Sequence, residues 1–233
     1  MSGHESRRTS VQAARLNRLG LRSKAAGRYE EGRVYYRRAL ARLLSSGEPD
    51  WNAVATLYHN LGGIEHARGD HAAGEALARR GLAIRTRLVN ADPLELAADQ
   101  VALAALLDGQ GRFDEAEALY LNALESFTRS PGADPCDVAS ALNNLGALWT
   151  RKGVLDRAED LLSRALVLKR EALGSGHSDV ALTLNNLAVT CGRQGRLELA
   201  SALYDEALGI LQRTLGPAHP ASRRCQANSL RGG

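Results

Sequence analysis

The chain has 233 residues, with 30 Lys and Arg against 26 Asp and Glu for a formal net charge of +4, and only 4% of its residues are aromatic. So small a charge is no electrostatic footprint for nucleic acid, and so few aromatics leave no platform for base stacking. No apolar run approaches the roughly 20 residues that a membrane helix needs. Cys136, Cys191 and Cys225 are odd in number, far apart and form no Cys-x-x-Cys pair, which points to a reduced, cytoplasmic protein.

Residues 1–10 are polar and charged, lack the apolar stretch of a signal peptide, and are expected to be a flexible segment. Over 11–220 the chain repeats every 42 residues. Gly27, Gly69, Gly111, Gly153 and Gly195 share one register; Leu19, Leu61, Leu103, Leu145 and Leu187 share another; Leu40, Leu82, Leu124, Leu166 and Leu208 share a third. Five copies in fixed register predict a single stacked array, with no closed core.

The fourth copy shows the plan. Val138, Ala141, Leu142, Leu145 and Leu148 recur at spacings of three and four, one face of a helix. Gly153 stops that helix, and Leu155, Ala158, Leu161, Leu162, Ala165, Leu166 and Leu168 mark a second, longer one. Small residues hold fixed places in both helices, Gly20, Gly62, Ala104, Gly146 and Ala188 in the first and Gly32, Gly74, Ala116, Ala158 and Ala200 in the second, so the two can approach closely. Asp50-Trp51, Asp92-Pro93 and Asp134-Pro135 at the junctions read as an N-cap and first helical position, with Asp92 and Glu95 as a variant capping box. Residues 221–233 begin like a sixth first helix and turn polar, as a helix capping the last repeat must.

These residues resemble the tetratricopeptide repeat family. Leu145-Gly146, Gly153, Ala158 and Ala165-Leu166 reproduce its signature spacing, as do Gly111-Arg112-Phe113, Ala116, Tyr120 and Ala123-Leu124. The 42-residue length, Asn143-Asn144-Leu145, Asn185-Asn186-Leu187 and the run Leu215 to Pro220 are similar to its long-repeat, kinesin-light-chain-like branch. The resemblance covers 12–220. It implies an all-α, right-handed superhelical solenoid of five helix-turn-helix repeats plus a C-terminal capping helix, with the first helices lining a concave groove. The family's carboxylate-clamp set is not matched, since Leu21, Ala98 and Ala102 hold three of its positions.

The groove stripe supplies the candidate site: Asn17, Arg18, His59, Asn60, Asn143, Asn144, Arg151, Asn185, Asn186 and Arg193. Asn is a middling helix former, so its recurrence at one register needs a reason. Its amides can bond the N–H and C=O of an extended peptide, or they can bond the neighbouring repeat and hold the stack together. Ala102 interrupts any such ladder in the third copy. Arg18, Lys24, Arg151 and Arg193 form a patchy basic stripe that suits an acidic partner, or simply a solvated face. His59 and His66 lie seven apart, too far for a helical metal pair, so no metal is expected. Trp149 reads as an aromatic wedge in the core, Cys191 as a small buried hydrophobe, and His177 and His219 as structural.

No nucleotide-binding or nucleophile-elbow motif is present, so the chain is expected to be no enzyme and to need no cofactor. The leading reading is an adaptor or scaffold that binds a peptide or protein segment in the groove, without nucleic acid or membrane. Two alternatives are a peptide- or ligand-sensing module acting on a separate effector, and a biosynthetic accessory or unrecognised enzyme using the groove as a pocket.

Overall fold

The computed structural model describes residues 3–232, with side chains from residue 8 to residue 231. Met1, Ser2 and Gly233, which belong to the expected terminal segments, lie outside the described residues. The described residues form eleven helices and no strand: α1 (Gly3–Ala25), α2 (Tyr29–Leu44), α3 (Trp51–Arg68), α4 (His71–Thr86), α5 (Pro93–Gly109), α6 (Phe113–Arg129), α7 (Pro135–Lys152), α8 (Leu155–Leu173), α9 (Ser178–Arg193), α10 (Leu197–Thr214) and α11 (Pro220–Gly232). Five pairs and an eleventh helix match the five-fold register. α1 begins at Gly3, within the N-terminal segment, and no proline or glycine interrupts His4 to Leu19.

The chain divides inside α6 into two compact units, Met1–Leu119 and Tyr120–Gly233. A repeat touches only its neighbours, so an array has no common core to hold it as one body. In the first unit α1 packs on α2 and α3 on α4, and α2 and α4 lie against α3 and α5. In the second, α7 packs on α8 and α9 on α10, while α8 and α10 lie against α9 and α11. Tyr36, Leu43, Val54, Leu57, Leu61 and Ile64 centre the core of the first unit; Leu162, Leu184, Tyr204, Ile210, Leu211 and Cys225 centre that of the second.

Local chemistry explains the elements. Gly153 closes α7 at φ +82°, a left-handed conformation that favours glycine, and its N–H reaches back to the Thr150 carbonyl. Gly146 sits where α7 and α8 touch: a Cβ there would lie 2.7 Å from Leu162 Cγ. Asp50, Asp92 and Asp134 cap α3, α5 and α7 by accepting from Ala53, Leu94 and Cys136 N–H at 3.0, 2.9 and 2.8 Å. His177 and His219 do the same for α9 and α11, Nδ1 accepting from the Asp179 and Ala221 N–H groups. The expected capping box fails on its second half, because Glu95 turns to Arg85 Nη1 at 2.6 Å instead of its own helix start. A buried guanidinium is a stronger claim on a carboxylate than one N–H group.

Candidate functional site

In the first unit the stripe residues bond across neighbouring first helices. Asn60 Nδ2 of α3 donates to Asn17 Oδ1 of α1 at 2.9 Å. His59, one residue earlier, would face the interrupted copy, where Ala102 has no amide to offer. It bonds another residue of that same helix, α5, Nδ1 lying 2.9 Å from Asp99 Oδ1. Asp99 is buried, and its second oxygen accepts from Arg85 Nε at 2.6 Å. Arg85 is buried too, and its remaining donors reach Glu95, Asn52 and Thr56. Arg18 is exposed.

In the second unit the ladder is continuous. Asn228 Nδ2 of α11 donates to Asn185 Oδ1 at 3.1 Å, Asn185 Nδ2 to Asn186 Oδ1 at 3.4 Å, Asn186 Nδ2 to Asn143 Oδ1 at 3.1 Å and Asn143 Nδ2 to Asn144 Oδ1 at 3.2 Å. Beside it, the Thr150 and Thr190 hydroxyls of α7 and α9 are 2.7 Å apart in a buried pair. Arg193 is exposed, yet one of its Nη1 protons goes to the Thr150 carbonyl. Arg151 is exposed at the end of α7. The stripe amides, His59 and Arg193 therefore cross-brace first helices, which leaves only part of their hydrogen-bonding capacity unused.

That capacity is unequal. An amide has two donors and an acceptor oxygen with two lone pairs. Asn143, Asn185 and Asn186 use both ends of their amides within the ladder. Asn144 stands at its end, accepting from Asn143 with its own NH₂ uncommitted, and Asn60 keeps its oxygen. Two clefts are lined by other members of the stripe and ladder, neither by Asn144 nor by Asn60. One, of about 330 Å³, is lined by Asn17, Thr56, Asp50, Ala13, Leu43 and Leu57 in the first unit. The other, of about 390 Å³, is lined by Arg193, Asn228, Arg231, Tyr204, Val189 and Leu197 in the second.

Three features lie outside the expectations drawn from the repeat pattern. Asn228 lies 42 residues after Asn186, so the period already placed it on the ladder. Arg85 and Lys169 share a register held by Leu43, Phe127 and Leu211 in the other copies, a break in an apolar series that marks buried charge. Trp149 is half-buried and not a core wedge; the Arg157 guanidinium lies 5.8 Å from its ring centroid, a partner the repeat spacing does not reveal. Cys191 is buried as expected, and burial pushes its thiol up, away from the thiolate a nucleophile needs.

Paired helices in constant register, with a polar first-helix stripe and apolar seams, define a helical-repeat protein. The particular family follows from sequence models described as tetratricopeptide repeat, which match residues 12–87, 137–213, 179–228 and, in a second model, 101–134. The chain belongs to the tetratricopeptide repeat family. A search of curated protein sequences finds no match. Among solved structures, BtubC (BKLC) from P. vanneervenii is 25% identical with a TM-score of 0.68, over 93% of this chain and 86% of that one. A Podosopora anserina putative kinesin light chain with nearly identical TPR-like repeats is 18% identical with a TM-score of 0.62, over 92% and 99%. The Rap conjugation gene regulator of the plasmid pLS20, in complex with the Phr* peptide, is 17% identical with a TM-score of 0.78, over 97% of this chain and 60% of that one.

Proposed function

We propose that this protein is a non-enzymatic adaptor that binds a peptide or protein segment along the first-helix stripe. The observation that carries this reading is the open end of the Asn ladder: Asn144 offers an uncommitted NH₂ on a face otherwise braced by its own hydrogen bonds. A donor held by a braced neighbour is pre-organised, so a peptide carbonyl meets it at little entropic cost. Arg193, with Arg231 in the same cleft, suits an acidic side chain of the segment. A second reading, a peptide-sensing module acting on a separate effector, is supported by the likeness to the Rap regulator, whose structure holds a peptide.

The ladder separates two variants that its sequence alone would pair. Asn144→Ala removes a ligand donor at the ladder's end and is expected to weaken binding about two- to tenfold, the worth of one neutral hydrogen bond, with little change in melting. Asn186→Ala removes bonds to both Asn143 and Asn185 and is expected to cost about 1–3 kcal/mol of stability. The test is capture of the partner with identification by mass spectrometry, then titration of that partner against each variant with melting curves in parallel. Unchanged affinity in Asn144→Ala would remove the main support for groove binding.

A further inference from the structure

We infer that the outward face of α1 is a docking surface for an acidic helix of a partner protein, seated as a second helix seats on the first helix of the next repeat. The inference starts from Arg15 and Arg22, both exposed. Their registers are buried in the copies that follow: Leu57, Asp99, Ala141, Thr183 and Cys225 correspond to Arg15, and Ile64, Leu106, Leu148 and Thr190 to Arg22.

Both registers face the preceding second helix wherever the contact is visible within a unit. Asp99 takes Arg85 of α4 at 2.6 Å, and Thr183 takes Lys169 of α8 at 3.1 Å. Ile64 packs on Gly32 of α2, where a Cβ would lie 2.8 Å from Ile64 Cδ1, and Leu106 packs in the same way on Gly74 of α4. Glu95, which also reaches Arg85, is in register with Val11, an exposed apolar residue of α1. Arg18, between the two arginines, is in register with Asn60, Asn186 and Asn228, each of which reaches back to the preceding first helix. Val11, Arg15, Arg18 and Arg22 thus mark a repeat–repeat face on which, among the described residues, no helix lies.

The chemistry of the occupant follows from that face. The side chains of Arg15, Arg18 and Arg22 have no hydrogen bond or ion pair among the described residues, and Glu5 is the one carboxylate in the sequence of α1. Like charges spread over a helix face repel and are relieved by an opposite surface. The Arg85–Asp99 pair shows the geometry with the signs reversed: the cation here is on the first helix, so the carboxylate belongs on the docked one. Carboxylates at the places of Gly74 and Arg85 would stand eleven residues apart on the partner helix, opposite Arg22 and Arg15. An apolar residue about one helical turn beyond the carboxylate at the place of Arg85 would cover Val11.

The probe is an alanine-rich peptide, helical by circular dichroism, with two glutamates eleven residues apart on one face; a counterpart carries lysines at those positions. The full chain is titrated with each by fluorescence anisotropy at low and high salt, beside the double variant Arg15→Glu, Arg22→Glu. Saturable binding of the glutamate peptide, weakened by salt, reduced about tenfold or more in the variant and transferred there to the lysine peptide, is the expected result. Both substituted side chains are exposed, so melting should not change. No saturable binding, or equal binding of both peptides, would overturn the inference. So would self-association of the chain that the variant abolishes, which would make the occupant a second copy. Tighter binding of anionic phospholipid vesicles or of DNA, lost in the same variant, would also reassign the face.

Discussion

Arg85 and Lys169 stand at one register two repeats apart, and their surroundings decide opposite energetic roles. Arg85 meets Asp99 and Glu95 at 2.6 Å each, and Asp99 is itself buried. Lys169 is equally buried but has only the Thr183 hydroxyl at 3.1 Å and the Asp179 carbonyl at 3.5 Å, and desolvation pushes its ammonium down from the usual lysine range. Removing one member of a buried ion pair strands the other, so Arg85→Leu is expected to cost about 3–5 kcal/mol. Lys169→Leu, which installs the residue of Leu43 and Leu211, strands nothing, since Thr183 Oγ1 also donates to the Asp179 carbonyl. It is expected to be neutral or to stabilise by about 1–3 kcal/mol. Denaturant melts of the two variants check this; a loss in Lys169→Leu matching that in Arg85→Leu would show that Lys169 is fully compensated. Leu145, almost wholly buried between its helices, sets the apolar reference: its truncation to Ala is expected to cost about 2–5 kcal/mol.

Between elements, the turns carry a second recurring device. Glu75 of α4 accepts from Gln110 Nε2 at 2.8 Å and Arg112 Nη1 at 2.7 Å in the turn after α5, and from Arg79 on its own helix. In the second unit Glu159 of α8 holds Gln194 and Arg196 after α9 in the same way, at 3.0 and 2.7 Å. The Gln110 bond first, then those of Arg79 and Arg112, hold the Glu75 carboxyl down at about 2, against an ordinary value of 4.5. A carboxyl depressed in the folded state stabilises fully above its unfolded value, and that contribution is lost as pH falls through the folded one. The melting temperature should therefore drop between about pH 4.5 and pH 2, and Glu75→Gln should flatten part of that drop. Parallel pH curves for the two proteins would mean that the turn contact does not contribute to stability.

At the scale of the molecule, the chain resolves into two compact units, and within each the contacts run from a helix to its neighbours. A perturbation should then spread over a repeat or two and fade. Hydrogen exchange on Leu145→Ala is expected to show lost protection in α7, α8 and α9 while α1 to α4 keep theirs. Equal loss throughout would indicate one cooperative body. No helix among the described residues is long and apolar enough to cross a membrane.

The repeat, its period and its family are legible in the residues alone, because a 42-residue register of leucine, glycine and small residues has one physical solution: helix pairs that cannot bury their apolar faces alone. Caps at Asp50, Asp92 and Asp134 were legible for the same reason, since capping is local. Tertiary structure alone decided how the polar residues are used. Whether an Asn amide meets a ligand or a neighbouring helix depends on what stands 43 residues away in the chain and about 3 Å away in space. Spacing could not show that His59 leaves the ladder for Asp99, or that Glu95 abandons its cap for Arg85. It also could not show that Asn144, alone in its run, ends the chain of bonds with a donor to spare. Local propensity is written in neighbouring residues, whereas the partner of a long polar side chain is chosen by packing.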